Sequence, residues 1–222
     1  MERMSVCGKD IIIFPSESKD SPLVVVNTVE GEGGEIYDAV RRIYDADMTF
    51  VAIGGIAWDE EMSPWPAPSP LNGNDYAGYA DRYLSDLTGT IIPSVEKELS
   101  LQPSFRVLAG YSLAGLFTLY SLFRTDMFTR AVCASGSLWY PGIAEFVDGN
   151  ELECHPDRLY MSLGDRESKT RNPIMAKVGE RTDAVSKILS SRVSEFRFET
   201  NPGNHFADPA GRMAKGIAWV LG

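Results

Sequence analysis

Residues 106–123 read RVLAGYSLAGLFTLYSLF. A short apolar run, RVLAG, leads into a longer one at helical spacing, and a serine, Ser112, sits at the joint among small neighbours. A hydroxyl buried there without a partner costs about 1–3 kcal/mol. Ser112 therefore either caps the helix or is meant to be reached. The pattern GYSLAG fits the second reading. In a strand–turn–helix elbow, side chains two positions before and after the serine collide with the adjoining strand and helix unless they are small. Gly110 meets that demand. Ala114 stands where a second glycine is usual, and Gly115 follows. Such an elbow exposes the serine Oγ and turns the next N–H, that of Leu113, toward a substrate oxygen.

The surrounding chain supplies the context that an elbow requires. PLVVVNT (22–28) and MTFVAIGG (48–55) are continuous apolar runs, as expected of strands buried on both faces. Between them, EIYDAVRRIYDA (35–46) carries Ile36, Val40, Ile43 and Tyr44 at helix spacing. That order predicts a right-handed βαβ unit. DIIIF (10–14) reads as a short strand, and YADRYLSDLTGTIIPSVEKEL (79–99) as a helix interrupted or turned at Pro93. RAVCASGSLWY (130–140) is a strand running into an aromatic loop, and DRLYMSLGD (157–165) and SEFRFET (194–200) are further strands. MAKVGERTDAVSKILSSR (175–192) and AGRMAKGIAWVLG (210–222) are the helices that alternate with them. The expected fold is α/β: an open, mostly parallel sheet with helices on both faces, in a single domain over residues 1–222. Chemistry in such sheets collects beyond the carboxyl ends of the strands.

A serine nucleophile needs a base, and the base needs an orienting acid. There are two histidines. His155 precedes a strand, which puts it at the wrong edge of the sheet and reads as an exposed loop residue. His205, in NPGNHF, follows the last strand and falls on the catalytic rim. The acid is expected between serine and histidine in chain order. SLGDRESKTRN (162–172) offers Asp165 at the strand exit and Glu167 deeper in the loop, whose longer side chain favours it for reaching His205.

Composition narrows the function classes. The chain has 222 residues, 44% hydrophobic and 23% charged, with a formal charge of −10. That charge argues against nucleic acid and against anionic membrane surfaces. The three cysteines, Cys7, Cys133 and Cys154, show no disulfide framework, and Cys133 reads as a small buried hydrophobe. No Cys or His pair has metal-ligand spacing, and the chemistry above needs neither metal nor cofactor. MERMSVCGKDIIIF is no signal peptide, and no stretch approaches a membrane span, so the expected compartment is the cytoplasm. No feature specifies an oligomeric state.

In these features the chain resembles the putative-esterase (esterase D-like) family of α/β-hydrolases, the group that includes enterochelin and feruloyl esterases. The resemblance lies in GYSLAGLFTLY, SGSLWYPG, MSPWPAPSP with YAGYADRYLSDLTGTIIPSVEK, SLGDRESKTRN and GNHF, and covers most of the chain from about Val24 onward. It implies an α/β-hydrolase fold and a serine esterase acting on a small-molecule carboxylic ester. In the family the acid commonly lies three residues beyond the glycine that ends its strand. Gly164 is that glycine, which gives the role to Glu167. The resemblance also implies a second oxyanion donor in the loop after PLVVVNT, the N–H of Thr28 or Val29. Trp58, Trp65, Trp139 and Tyr140 fall in loops on the rim, where aromatic walls suit a flat or cyclic substrate. The segment 137–160 is too short for a separate lid, so the site is expected to be open to a bulky or polar ester. The alternatives are an acyltransferase or thioesterase using the same three residues, and a binding protein that keeps the fold without catalysis.

Overall fold

A computed structural model describes every residue except Glu30, Asn72 and Cys154. Cys154, expected with the other cysteines to belong to no disulfide framework, lies outside the described residues. Eight strands form one sheet among these residues, in the order β1-β2-β4-β3-β5-β6-β7-β8. They are β1 Glu2–Val6, β2 Lys9–Phe14, β3 Leu23–Asn27, β4 Thr49–Gly54, β5 Arg106–Tyr111, β6 Arg130–Ala134, β7 Arg158–Gly164 and β8 Glu195–Asn201. From β4 to β8 the pairs are parallel; β1 with β2, and β2 with β4, are antiparallel.

The continuous apolar runs are explained by burial on two sides. Leu23 and Val25 of β3 face one layer of core, and Val24 and Val26 face the other. The first layer lies under α3 (Ala80–Asp86), α4 (Ile92–Leu99), α5 (Leu113–Ser121), α6 (Ile143–Gly149) and α7 (Val178–Leu189). The second lies under α1 (Gly33–Arg41) and α8 (Pro209–Leu221), which pack on each other. Burying a valine this completely contributes about 1.5–3 kcal/mol, so the central strands carry much of the stability.

Three features depart from the sequence reading. The charged N-terminal segment forms β1, an exposed edge strand whose polar pattern hides its pairing with β2. The break in the 79–99 helix comes just before Pro93, as a π-helical turn at Leu87–Ile91, and the helix continues into α4 with Pro93 as its second residue. The aromatic loop 56–78 contains a short helix, α2 (Trp58–Glu61), and a bridge between Ala67 and Tyr76. No helix among the described residues is long and apolar enough to cross a membrane.

Candidate active site

The joint between β5 and α5 is a sharp elbow. Ser112 has φ 59° and ψ −123°, a strained backbone for a non-glycine residue that costs on the order of 1–3 kcal/mol. Three backbone hydrogen bonds hold it: its N–H donates to Ala134 O (3.2 Å), and its carbonyl accepts from Leu116 N (3.1 Å) and Ser137 N (2.9 Å). Gly110 makes the turn possible, because a Cβ there would lie 2.2 Å from backbone atoms of Ala114. Ser112 occupies the N-cap position, yet its side chain makes no capping bond. Its Oγ instead lies 3.0 Å from Nε2 of His205 and 3.3 Å from the Ser137 hydroxyl.

His205 is placed by the loop that leaves β8. Its Nδ1 lies 2.7 Å from Oε2 of Glu167. Glu167 sits just beyond β7, and its side chain is 3% exposed. Its Oε1 accepts from Gly164 N–H (2.7 Å) and from Nη1 of Arg212 (2.9 Å). Burial pushes this carboxyl up, but hydrogen bonds from His205, Ser135 and the Gly164 N–H outweigh it and hold the pKa below the usual 4.5. The group therefore stays charged, as an acceptor for the Nδ1 proton must.

Asp165, the other carboxylate considered, does a different job. Its Oδ1 accepts from Gly203 N–H (2.7 Å), and the neighbouring Arg166 N–H donates to Gly203 O (3.1 Å). The acid loop thus grips the histidine loop at Gly203 through Asp165 and at His205 through Glu167.

Sequence reasoning missed Arg212. Its side chain is 2% exposed. Its guanidinium donates to Glu167 Oε1, Tyr111 Oη (3.1 Å), Ser135 Oγ (3.0 Å), and the carbonyls of Pro202 and Asn204 (3.0 Å each). Tyr111 Oη in turn donates to His205 O (2.6 Å). One buried cation therefore ties the acid to both sides of the histidine loop. A signal was present: Arg212 is the fourth residue of α8, at the end of a helix where the macrodipole disfavours a cation. An arginine there needs a specific anionic partner.

The expected oxyanion donors divide. Leu113 N–H and Val29 N–H have no backbone acceptor among the described residues. Thr28 is corrected: its N–H donates to Ile53 O (2.9 Å), extending the β3–β4 ladder, so it is already taken.

The rim aromatics divide as well. Trp58 and Trp139 line cavities that open on His205. Trp65 and Tyr140 do not, and the expectation that they form a substrate wall is corrected. Tyr140 is fully buried and its Oη donates to Trp65 O (2.5 Å), while the Trp65 indole N–H donates to Pro141 O (2.9 Å) and its ring packs against Phe146 and Tyr120. Together they pin the aromatic loop to the body of the fold. His155 is exposed, away from the site. Cys133 is buried beneath the elbow, with its thiol pushed up to about 12 by burial, which leaves it unreactive.

Two cavities meet at His205 and Phe206. One of about 540 Å³ contains Ser112, Val29, Asn27 and Trp58. The other, of about 470 Å³, contains Trp139, Gly136 and the loop from Arg166 to Arg171.

Comparison with known proteins agrees with this architecture. Residues 31–207 match the model of the family described as "Putative esterase". A Bacillus subtilis (strain 168) protein, the uncharacterized YbbA, is 31% identical over 137 residues, which are 60% of this chain and 55% of that protein. The chain thus matches about half the length of that relative. Among solved structures, siderophore hydrolase EstA from Aspergillus nidulans superposes with a TM-score of 0.75 at 20% identity, covering 96% of this chain and 89% of its own. An IroE-like serine hydrolase from Shewanella oneidensis gives 0.78 at 17% identity, covering 98% and 78%. The structural likeness fixes the α/β-hydrolase fold, and the match over residues 31–207 shows that this chain belongs to the putative esterase family.

Proposed function

We propose that the protein is a serine esterase that hydrolyses a carboxylic ester through an acyl-enzyme on Ser112. The observation that carries this is the unbroken chain of contacts Glu167–His205–Ser112, at 2.7 and 3.0 Å, ending on a serine in an elbow. Ser112 Oγ attacks the ester carbonyl while His205 Nε2 takes its proton. Charged Glu167 accepts the Nδ1 hydrogen bond and stabilises the imidazolium that forms. The oxyanion rests on the N–H groups of Leu113 and Val29; one such donor lowers the barrier by about 3–4 kcal/mol. His205 returns the proton to the departing alcohol. A water, deprotonated by His205, then attacks the acyl carbonyl and releases Ser112 and the acid.

Two cavities, rather than one narrow slot, support a bulky or polar ester. The likeness to the Aspergillus nidulans siderophore hydrolase supports including siderophore lactones in a substrate panel with aryl esters and acetylated sugars.

The test is hydrolysis of p-nitrophenyl acetate and butyrate by wild type and Ser112→Ala. The expected loss in kcat is on the order of 10⁴–10⁶-fold. Wild-type turnover no faster than the alanine variant overturns the reading and favours a binding protein. Product analysis with added alcohols separates water from an alcohol as the acceptor, and a dominant new ester would make the protein an acyltransferase.

A further inference from the structure

The two cavities that meet at His205 carry opposite charge. The cavity beside Trp139 is lined by Arg166, Lys169 and Arg171, three cations within six residues of the acid loop. Of the carboxylates in this loop, Glu167 is occupied by Arg212 and His205, and Asp165, which lies outside the cavity lining, is 3.8 Å from Arg166 and already accepts from Gly203 N–H. The cavity beside Trp58 is lined by Glu32, Glu35 and Asp208. Phe206, 84% exposed, stands between the two and borders both. The chain as a whole has 31 acidic and 21 basic residues, so a wall of three cations goes against the general field of the molecule. Cations grouped on one wall of a concave site concentrate anions there, and carboxylates opposite repel them.

We propose that the substrate is an ester with unequal halves: one half bears a carboxylate, which lies in the Trp139 cavity against Arg166, Lys169 and Arg171, and the other half, in the Trp58 cavity, bears no negative charge. Arginine reads a carboxylate through paired N–H donors, and a lysine adds a point charge. The carboxylates of the Trp58 cavity set the orientation by rejecting the anionic half. This inference rests on the esterase reading and names the substrate class of the same site.

Two pairs of substrates test it. In the first, the carboxylate is on the acyl half: 4-nitrophenyl hydrogen succinate against its neutral methyl ester. In the second it is on the alcohol half: the butyrate of 4-hydroxybenzoate against that of 4-hydroxybenzamide. In one pair, the anionic member is expected to have a kcat/KM about tenfold above its neutral partner, the size of two or three exposed ion pairs acting together. In the other pair it is expected to fall below its partner. The triple variant Arg166→Gln, Lys169→Gln, Arg171→Gln should bring the preferred ratio to about one, and salt should erode it in wild type. Lys187→Gln, on an exposed cation of α7 outside both cavities, should leave the ratio unchanged.

No preference in either pair, or equal preference in both, overturns the proposal while turnover of the neutral esters leaves the esterase reading intact. If no ester is turned over, calorimetry with benzoate and benzamide reads the same selectivity as binding alone. Benzoate bound no more tightly than benzamide, or equally well by the triple variant, overturns it there too.

Discussion

The serine and the histidine are held in place by different means. The elbow is fixed by main chain: Gly110 leaves room that no Cβ could share, and backbone hydrogen bonds with Leu116, Ala134 and Ser137 hold the strained Ser112. The histidine loop is fixed by side chains from other elements. Arg212 reaches it from α8, Tyr111 from the end of β5, and Asp165 and Glu167 from the loop after β7. Ser112 is thus held by backbone, and His205 by a polar network of side chains. Such a network is strong only when every member is satisfied.

The difference can be broken from either side. The largest effect is expected at the elbow. Gly110→Ala puts a methyl group against backbone that cannot rotate away. It should cost more than about 4 kcal/mol in unfolding free energy, at the extreme of single substitutions, and abolish ester turnover. Chemical denaturation checks the first and p-nitrophenyl butyrate hydrolysis the second. A stable, active Gly110→Ala would mean that the turn has slack.

Arg212→Met comes next. It leaves Glu167 buried without its cation, which should cost about 3–5 kcal/mol. If Arg212 also positions the acid and the loop, kcat should fall more than KM changes, and Arg212→Lys should recover only part of it because lysine cannot keep five donors in a fork. A variant that unfolds more easily but keeps full kcat at low temperature would confine Arg212 to stability.

The smallest effect, and the sharpest for the acid, compares Glu167→Gln with Asp165→Asn. Folding holds the Glu167 carboxyl below 4.5, so its charged form adds stability above that pH, and the contribution disappears as pH falls through the depressed value. The melting-temperature gap between wild type and Glu167→Gln should therefore be full near pH 7 and narrow below about pH 4.5. Asp165→Asn keeps an oxygen for Gly203 N–H and should lower kcat by only a few-fold. If Asp165→Asn impairs turnover more than Glu167→Gln, the roles given to the two carboxylates are reversed.

This contrast also explains what could be read in the sequence. The parallel strands were legible because burial on both faces leaves continuous apolar runs, and Ser112 because its steric demands fall on adjacent residues. His205 and the pair Asp165 and Glu167 followed from chain order and the exits of strands, while the length of its side chain and the family resemblance favoured Glu167. The support of the loop was not legible, since Arg212 meets Glu167 only when α8 and β7 are assembled. Thr28 and Val29 could not be separated, because the choice turns on whether the β3–β4 ladder takes one more N–H. Trp65 and Tyr140 looked like the rim for a related reason: an aromatic residue in a loop carries no sign that, as for Trp65, Phe146 of α6 will pack against it or that, as for Tyr140, its hydroxyl will donate to a backbone carbonyl.

The claim at the centre is that the Ser112 oxygen is made nucleophilic by His205. A fluorophosphonate probe, followed by mass spectrometry of the labelled peptide, tests it directly. The account predicts one phosphonate per chain, on Ser112, and little or none in His205→Gln. Labelling of another residue, or of Ser112 at the same rate without the imidazole, would contradict it.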